Sequence, residues 1–263
     1  MWCTELSKET NPNSGTSEAV ILIKAAPVIG EKHGETVCCA GIDLYGNWLR
    51  LYPVSFRVLD DGKRFKRWDR VKFEWRRPTN DFRIESRHVN NQTLEISGHM
   101  KRNEIATFLN RHIVSSLTRE FQSGRSLALL RPEILDFIIV RKSEVKLAEQ
   151  QRKIDLFHAQ HDMFIPRPAI PVKACPFEFK YRYRTDDGER EGTCQDWETE
   201  ATFFKWSRMY GEAKALREME SQFGERLPKK GLYFAMGTHS QYPETWLING
   251  LIQLSTPKQD TLF

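Results

Sequence analysis

The densest run of groups able to do chemistry is Asp186-Asp187-Gly188-Glu189-Arg190-Glu191-Gly192-Thr193-Cys194-Gln195-Asp196-Trp197-Glu198. If a helix starts near Thr193, Asp196 and Glu200 fall one turn apart on one face, and Glu198 and Lys205 two turns apart on another. Carboxylates placed this way beside Asp186 and Asp187 can hold Mg²⁺ for phosphodiester cleavage, with Lys205 or Arg184 meeting the developing charge. The same residues also read without catalysis. Asp-Asp-Gly is turn chemistry, and acids in a first helical turn complement the helix dipole. His239, between Thr238 and Ser240 in a polar loop, is the candidate general base. His158, His161, Cys175 and Cys194 are zinc-ligand types, but at irregular spacing. The candidate catalytic residues are therefore Asp186, Asp187, Asp196, Glu198 and His239, with Mg²⁺ as cofactor if the reaction is phosphodiester cleavage. A Gly-rich phosphate loop, a Gly-x-Ser-x-Gly elbow and the zinc-deaminase signature are all absent from the sequence.

A second pattern interleaves cations with aromatic rings. Trp48, Arg50 and Tyr52 alternate with Leu49 and Leu51, which places an arginine between two rings on one strand face. Arg57, Lys66, Arg67, Arg76 and Arg77 follow close to Phe56, Phe65, Trp68 and Trp75, and Lys180 and Arg182 alternate with Tyr181 and Tyr183. Rings that stack bases beside cations that hold phosphates make a nucleic-acid surface. An ordinary strand whose long side chains cover a barrel has the same pattern.

Composition supports a polyanionic partner without requiring one. Forty Lys plus Arg stand against thirty-five Asp plus Glu, a net charge of +5, with the excess gathered in runs such as Lys63-Arg64-Phe65-Lys66-Arg67. Five cysteines without a Cys-x-x-Cys pair argue against a disulfide framework. No apolar run reaches the ~20 residues of a membrane span, and no signal-peptide order opens the chain, so cytoplasmic residence without membrane contact is expected.

These residues need elements to position them. Residues 1–18 are polar and turn-rich and read as a disordered tail. Short alternating segments over 19–100 predict a β-barrel-like domain, with a tight turn at Tyr45-Gly46-Asn47 and strands including Trp48–Tyr52, Arg70–Arg77, Phe82–Val89 and Thr93–Ile96. Residues 101–164 predict a helix over 101–122, a buried strand over 133–142 and a charged helix over 144–161, together a connector. The proline-rich stretch 165–171 marks the internal boundary. Residues 165–254 predict an α/β domain: strand Phe177–Thr185, helices near 194–210 and 212–223, and a closing hairpin over 232–254. The fold class is α+β, a small N-terminal β-barrel-like domain followed by an α/β region, with no internal sequence repeat.

Residues 255–263 form a polar spacer leading to Gln259-Asp260-Thr261-Leu262-Phe263. This peptide resembles the motif, usually Gln-Leu-(Ser/Asp)-Leu-Phe, by which bacterial DNA enzymes dock on the β sliding clamp. Gln259, Leu262 and Phe263 match it, whereas Asp260 replaces the usual leucine. The resemblance implies the clamp as partner and DNA as substrate. Separately, Gly46-Asn-Trp-Leu-Arg-Leu-Tyr-Pro53, Asp196-Trp-Glu198, Phe234-Ala-Met-Gly237 and Trp246-Leu-Ile-Asn-Gly-Leu251 resemble a widespread family of uncharacterised bacterial proteins. That resemblance implies a shared fold. The combined expectation is a bacterial DNA-processing or surveillance protein of repair or phage-defence type, acting as a glycosylase or metal-dependent nuclease. The alternative is a non-catalytic reader of modified or single-stranded nucleic acid.

Overall fold

Alternation decides the first barrel's strands. In Asp69–Arg76, Val71, Phe73 and Trp75 are buried while Lys72, Glu74 and Arg76 are exposed, the period of a strand with one wet face. The computed structural model describes residues 12–24, 28–30, 34–54, 59, 61–161, 173–239 and 241–254. Its first half contains β1 (Ser14–Lys24), β2 (Val28–Gly30), β3 (Gly34–Asp43), β4 (Trp48–Val54), β5 (Asp69–Arg76), β6 (Ser86–Val89) and β7 (Glu95–His99). Hydrogen bonding runs β1-β3-β4-β6-β5 and returns to β1, closing a ring; β2 and β7 pair outside it. Every ring pair is antiparallel except β4 with β6. A five-stranded barrel with this order and one parallel closure is of OB type, and closure leaves its strands no open edge. The interior holds Ile21, Cys39, Leu51, Phe65, Val71 and Phe73. Asp43 builds the β3–β4 turn, its Oδ1 accepting from the backbone N–H of Tyr45 and Asn47 at 2.9 and 2.8 Å, while Gly46 takes φ 89°.

Three expected boundaries change. The polar segment Ser14–Glu18 belongs to β1, because its backbone ladders with Arg76–Lys72 of β5 and Ser17 Oγ accepts from Trp75 Nε1 at 2.8 Å. The strand expected at Phe82 begins only at Ser86, and residues 77–85 form a loop. The helix expected over 101–122 is broken into α1 (Arg102–Asn110) and α2 (Leu117–Gln122), with β8 (Ile113–Val114) between them and Ser116 capping the second.

The second half repeats the ring. Its elements are β9 (Leu127–Leu130), β10 (Glu133–Arg141), α3 (Glu144–His161), β11 (Phe177–Thr185) and β12 (Gly188–Cys194), followed by α4 (Trp197–Tyr210) and α5 (Glu212–Met219). A π-helical stretch over Glu220–Arg226 leads to α6 (Leu227–Lys229), then β13 (Leu232–Thr238) and β14 (Trp246–Gln253). The sheet runs β10-β11-β12-β14-β13-β9-β8, with β12 and β14 parallel. Only Arg131-Pro132 separates β9 from β10, so the two act as one bent first strand whose halves pair with β13 and β11. The strand order of the first barrel recurs, with α4 to α6 inserted between its third and fourth strands. Residues 113–141, expected as part of a connector, thus supply strands to this barrel. The expected boundary at 165–171 lies outside the described residues. Phe179, Tyr181, Tyr183 and Phe234 fill the interior, with Tyr181 Oη donating to the Phe223 carbonyl at 3.0 Å.

The chain is α+β, a barrel followed by a mixed α/β region with a second sheet. The barrels meet through their outer faces: Val20, Leu22, Ala40 and Ile42 of the first pack against Leu127, Leu129, Tyr233 and Ala235 of the second, with Ile105 and Leu109 of α1 alongside. Among the described residues no helix is long and apolar enough to cross a membrane.

Candidate nucleic-acid interface

The β5–β6 loop of the first barrel and the β13–β14 loop of the second occupy equivalent places in the two rings, and one side chain joins them. Arg83 Nη1 donates to the Thr238 carbonyl at 3.1 Å. Its remaining nitrogens are held by Asp81: Nε to Oδ1 at 2.8 Å and Nη2 to Oδ2 at 2.6 Å. Ser86 Oγ also donates to Asp81 Oδ2, at 2.7 Å. Burial pushes the Asp81 carboxyl up, but hydrogen bonds from Arg83 and Ser86 and the Arg83 charge outweigh it and leave the carboxyl below its ordinary range. Burial likewise opposes the Arg83 charge, yet Asp81, with Cys38 and Glu85 beyond it, raises the guanidinium above its ordinary value.

Around this clamp the loops present apolar groups to solvent. Phe82 is 90% exposed, Ile84 52% and Tyr242 65%. His239 stacks on Tyr242, ring centroids 5.2 Å apart, and its Nδ1 accepts from the backbone N–H of Gln241 and Tyr242 at 3.1 and 3.2 Å. Acceptance at Nδ1 leaves the neutral ring's proton on Nε2. Cations flank the loop roots: Arg76 Nη2 lies 3.4 Å from His88 Nε2, and the Arg87 guanidinium covers the Trp75 ring at 4.3 Å. Pro53, Arg76, His88 and Asn90–Gln92 line an open groove of about 540 Å³ beside the β5–β6 root. Exposed rings bordered by cations suit stacked bases and their phosphates.

The residues singled out from sequence divide sharply. Arg76 and Arg77 stand at the root of the β5–β6 loop, and Tyr52, 39% exposed, precedes the groove's Pro53. Arg50, expected on an open face, is 3% exposed. The second barrel covers the outer face of β4, and Arg50 Nη2 donates to Ser126 O and Oγ at 3.1 and 3.2 Å, while Trp48 joins the apolar contact between barrels. Arg67 also crosses the junction, with Nη2 3.0 Å from Asp196 Oδ2. Lys66 is exposed, and Arg57 lies outside the described residues. The expected basic face of β11 is neutralised: Lys180 pairs with Glu191 at 2.8 Å, Arg182 with Asp136 at 3.7 Å, and Arg184 with Glu133 and Glu189.

The carboxylates do not converge as the metal reading requires. Asp187 accepts from Ser116 Oγ at 2.5 Å and from the Thr118 N–H at 3.1 Å, bracing the start of α2. Asp196 is 1% exposed and caps α4 through the Glu198 N–H at 2.7 Å, while its Oδ2 takes the Leu251 N–H at 2.6 Å. Burial raises its carboxyl, against the pull of Arg67 and those N–H donors. Asp186 lines a small cavity with Arg131, Glu133 and Arg184, and the Glu198 side chain is 67% exposed, 3.9 Å from Arg67. Among the described residues no three His, Cys, Asp or Glu side chains are grouped to hold a metal ion. Cys175 and Cys194 are buried, and burial pushes both thiols up to about 12. Whether His158 and His161 face them falls outside the described side chains, as do Gln259, Leu262 and Phe263.

Of the expected catalytic residues, His239 alone stands on the paired loops. Phe82 and Tyr242 were not singled out by sequence pattern. The signal for Phe82 was present in Pro78-Thr-Asn-Asp81, a turn-forming run directly before it that rules against a strand starting there.

Residues 16–114 match the model of a domain of unknown function (DUF8758), and residues 111–263 match that of a second domain of unknown function (DUF8757). The handover falls between the two barrels. No curated protein matches the chain.

Proposed function

The chain belongs to the DUF8757 family, and from its geometry we propose that it is a reader of single-stranded nucleic acid that binds across the paired loops of its two barrels. The observation that carries this reading is the exposure of Phe82 and Tyr242 on loops that Arg83 ties together. Each ring that stacks a base contributes about 1–3 kcal/mol, with little regard to sequence, and the neighbouring arginines neutralise phosphates. The tail Gln259-Asp-Thr-Leu-Phe263, by its likeness to the β sliding-clamp motif, favours DNA over RNA and supplies recruitment to replicating or damaged DNA.

Fluorescence anisotropy with labelled single strands of DNA and RNA, across a salt series, tests the proposal. Binding that weakens with salt and is lost in a Phe82→Ala/Tyr242→Ala variant supports it. Absence of binding at low salt to every strand removes it. A 255–263 peptide that fails to bind the clamp would remove the preference for DNA.

A second reading, turnover on the bound strand, is favoured by His239, which stacks on Tyr242 within the same loop. Incubation with plain, abasic, mismatched and base-modified DNA, with and without Mg²⁺, separates the options on denaturing gels. Breaks that require alkali mark a glycosylase, direct metal-dependent breaks a nuclease, and intact strands the reader.

A further inference from the structure

The open groove beside the β5–β6 root differs in chemistry from one end to the other. Tyr52, His88 and Arg76 stand abreast on β4, β6 and β5, because His88 pairs with Tyr52 on one side and with Arg76 on the other. Arg76 Nη2 lies 3.4 Å from His88 Nε2, so this end offers a guanidinium and an imidazole beside a ring. Two residues back along β5, on the same strand face, is Glu74. A strand advances roughly 7 Å over two residues, comparable to the reach from a nucleotide's phosphate to its base. Asn90 and Gln92 enter the groove next to Glu74.

The backbone at that second end is fixed from several sides. Asn90 N–H donates to the Glu74 carbonyl at 3.0 Å, and Thr93 Oγ1 accepts from the Glu74 N–H at 3.0 Å while donating to the Asn90 carbonyl at 2.9 Å. Asn91 Nδ2 donates to the Pro53 carbonyl at 3.0 Å, and Lys63 Nζ to the Gln92 carbonyl at 2.7 Å. The side chains on this frame are uncommitted. Among the described residues the Glu74 carboxylate and the Gln92 amide have no hydrogen bond or ion pair, and Asn90 spends only its Oδ1, on the Gln92 N–H at 3.2 Å. A rigid frame that presents free acceptors and donors is suited to selection by hydrogen bonding. A carboxylate would oppose a strand held by charge alone, so Glu74 belongs to the base end of such a site and Arg76 to the phosphate end.

We propose, on the premise that the chain binds single strands as above, that this groove is a base-selective subsite that seats one nucleotide and prefers adenine or cytosine to thymine. The phosphate is held by Arg76 and His88, and the exocyclic amino group of the base donates to the Glu74 carboxylate, with the amides of Asn90 and Gln92 available to the rest of the base edge. Thymine carries a carbonyl oxygen where adenine and cytosine carry the amino group. That oxygen would face the Glu74 carboxylate, so the same residue attracts one class of base and repels the other.

The test measures anisotropy of the full chain with labelled homopolymers of dA, dC and dT at matched length and salt. The dA and dC strands are expected to bind at least about fivefold more tightly than dT. Glu74→Ala and Gln92→Ala, both at exposed positions and checked for folding by circular dichroism, should bring that ratio towards one. Arg76→Ala should instead weaken all three strands alike and lower the salt slope by about one. Equal wild-type affinity for the three strands would overturn the proposal, as would a ratio that survives in folded Glu74→Ala; the wild-type comparison decides alone if the variants do not fold. Failure of the subsite and failure of the paired loops are separable. Strands bound without preference, and lost in Phe82→Ala/Tyr242→Ala, would remove the subsite and keep the loops, whereas a preference that depends on Glu74 but ignores Phe82 and Tyr242 would do the reverse. No binding to any strand overturns both.

Discussion

Arg83 reaches from the first barrel to the backbone of Thr238 in the second while both ends of its fork remain on Asp81. A planar guanidinium used in this way fixes direction as well as distance. The two loops beside it therefore share one frame, although each hangs from its own sheet.

Removing the rings should weaken binding without touching the fold. Phe82→Ala and Tyr242→Ala are each expected to cost about 1–3 kcal/mol of affinity for single strands. Both side chains are mostly in solvent, so thermal midpoints should stay close to wild type. Anisotropy and thermal melts on the same samples check this, and unchanged affinity in both variants would place the contact surface elsewhere.

Acid should release the loop clamp. The folded Asp81 carboxyl lies below its ordinary value of 3.8, so its stabilisation is fully present above that value and fades as pH falls through the lower folded value. The difference in urea midpoint between wild type and Asp81→Asn is therefore expected to shrink on acidification. A difference that holds constant through this range would mean that the carboxylate charge contributes nothing.

Arg50→Ala should act on stability. Its loss leaves the Ser126 carbonyl and hydroxyl at the barrel junction without their charged donor, which costs about 1.5–3 kcal/mol. Urea denaturation reads the loss. A variant as stable as wild type but deficient in strand binding would restore this arginine to the binding surface.

Gly237→Ala tests the closeness of the same junction. A methyl group there would stand 2.3 Å from Asn249 Nδ2, 3.4 Å from Leu127 Cδ2 and 3.5 Å from Arg50 Nη2. Asn249 is 6% exposed and has little room to yield, so overpacking of about 1–3 kcal/mol is expected. A midpoint equal to wild type would show that the junction relaxes freely.

Alternation made much of the first barrel legible, because Val71, Phe73 and Trp75 declare an inward face by their own chemistry. The fate of the opposite face was not legible. Period-2 spacing placed Arg50 opposite Leu49 and Leu51 but carried no information about a second barrel lying over it. The repeated ring was hidden for a different reason. Its first strand is broken at Arg131-Pro132, and helices separate β12 from β13, so equivalent strands stand at unlike spacings. Asp196 looked catalytic because a capping carboxylate and a catalytic one share a residue type; only its burial against Arg67 and Leu251 tells them apart.

If the paired loops bind a strand as proposed, the apolar contact between the outer faces of the barrels also sets how length enters recognition. Two weak sites on a rigid body convert the second encounter into an intramolecular one, with an effective concentration set by the strand that joins them. Affinity should therefore rise in a step rather than in proportion to each added nucleotide. Oligomers too short to reach from Phe82 to Tyr242 would behave as single-site ligands, and those just long enough would gain avidity without any new kind of contact.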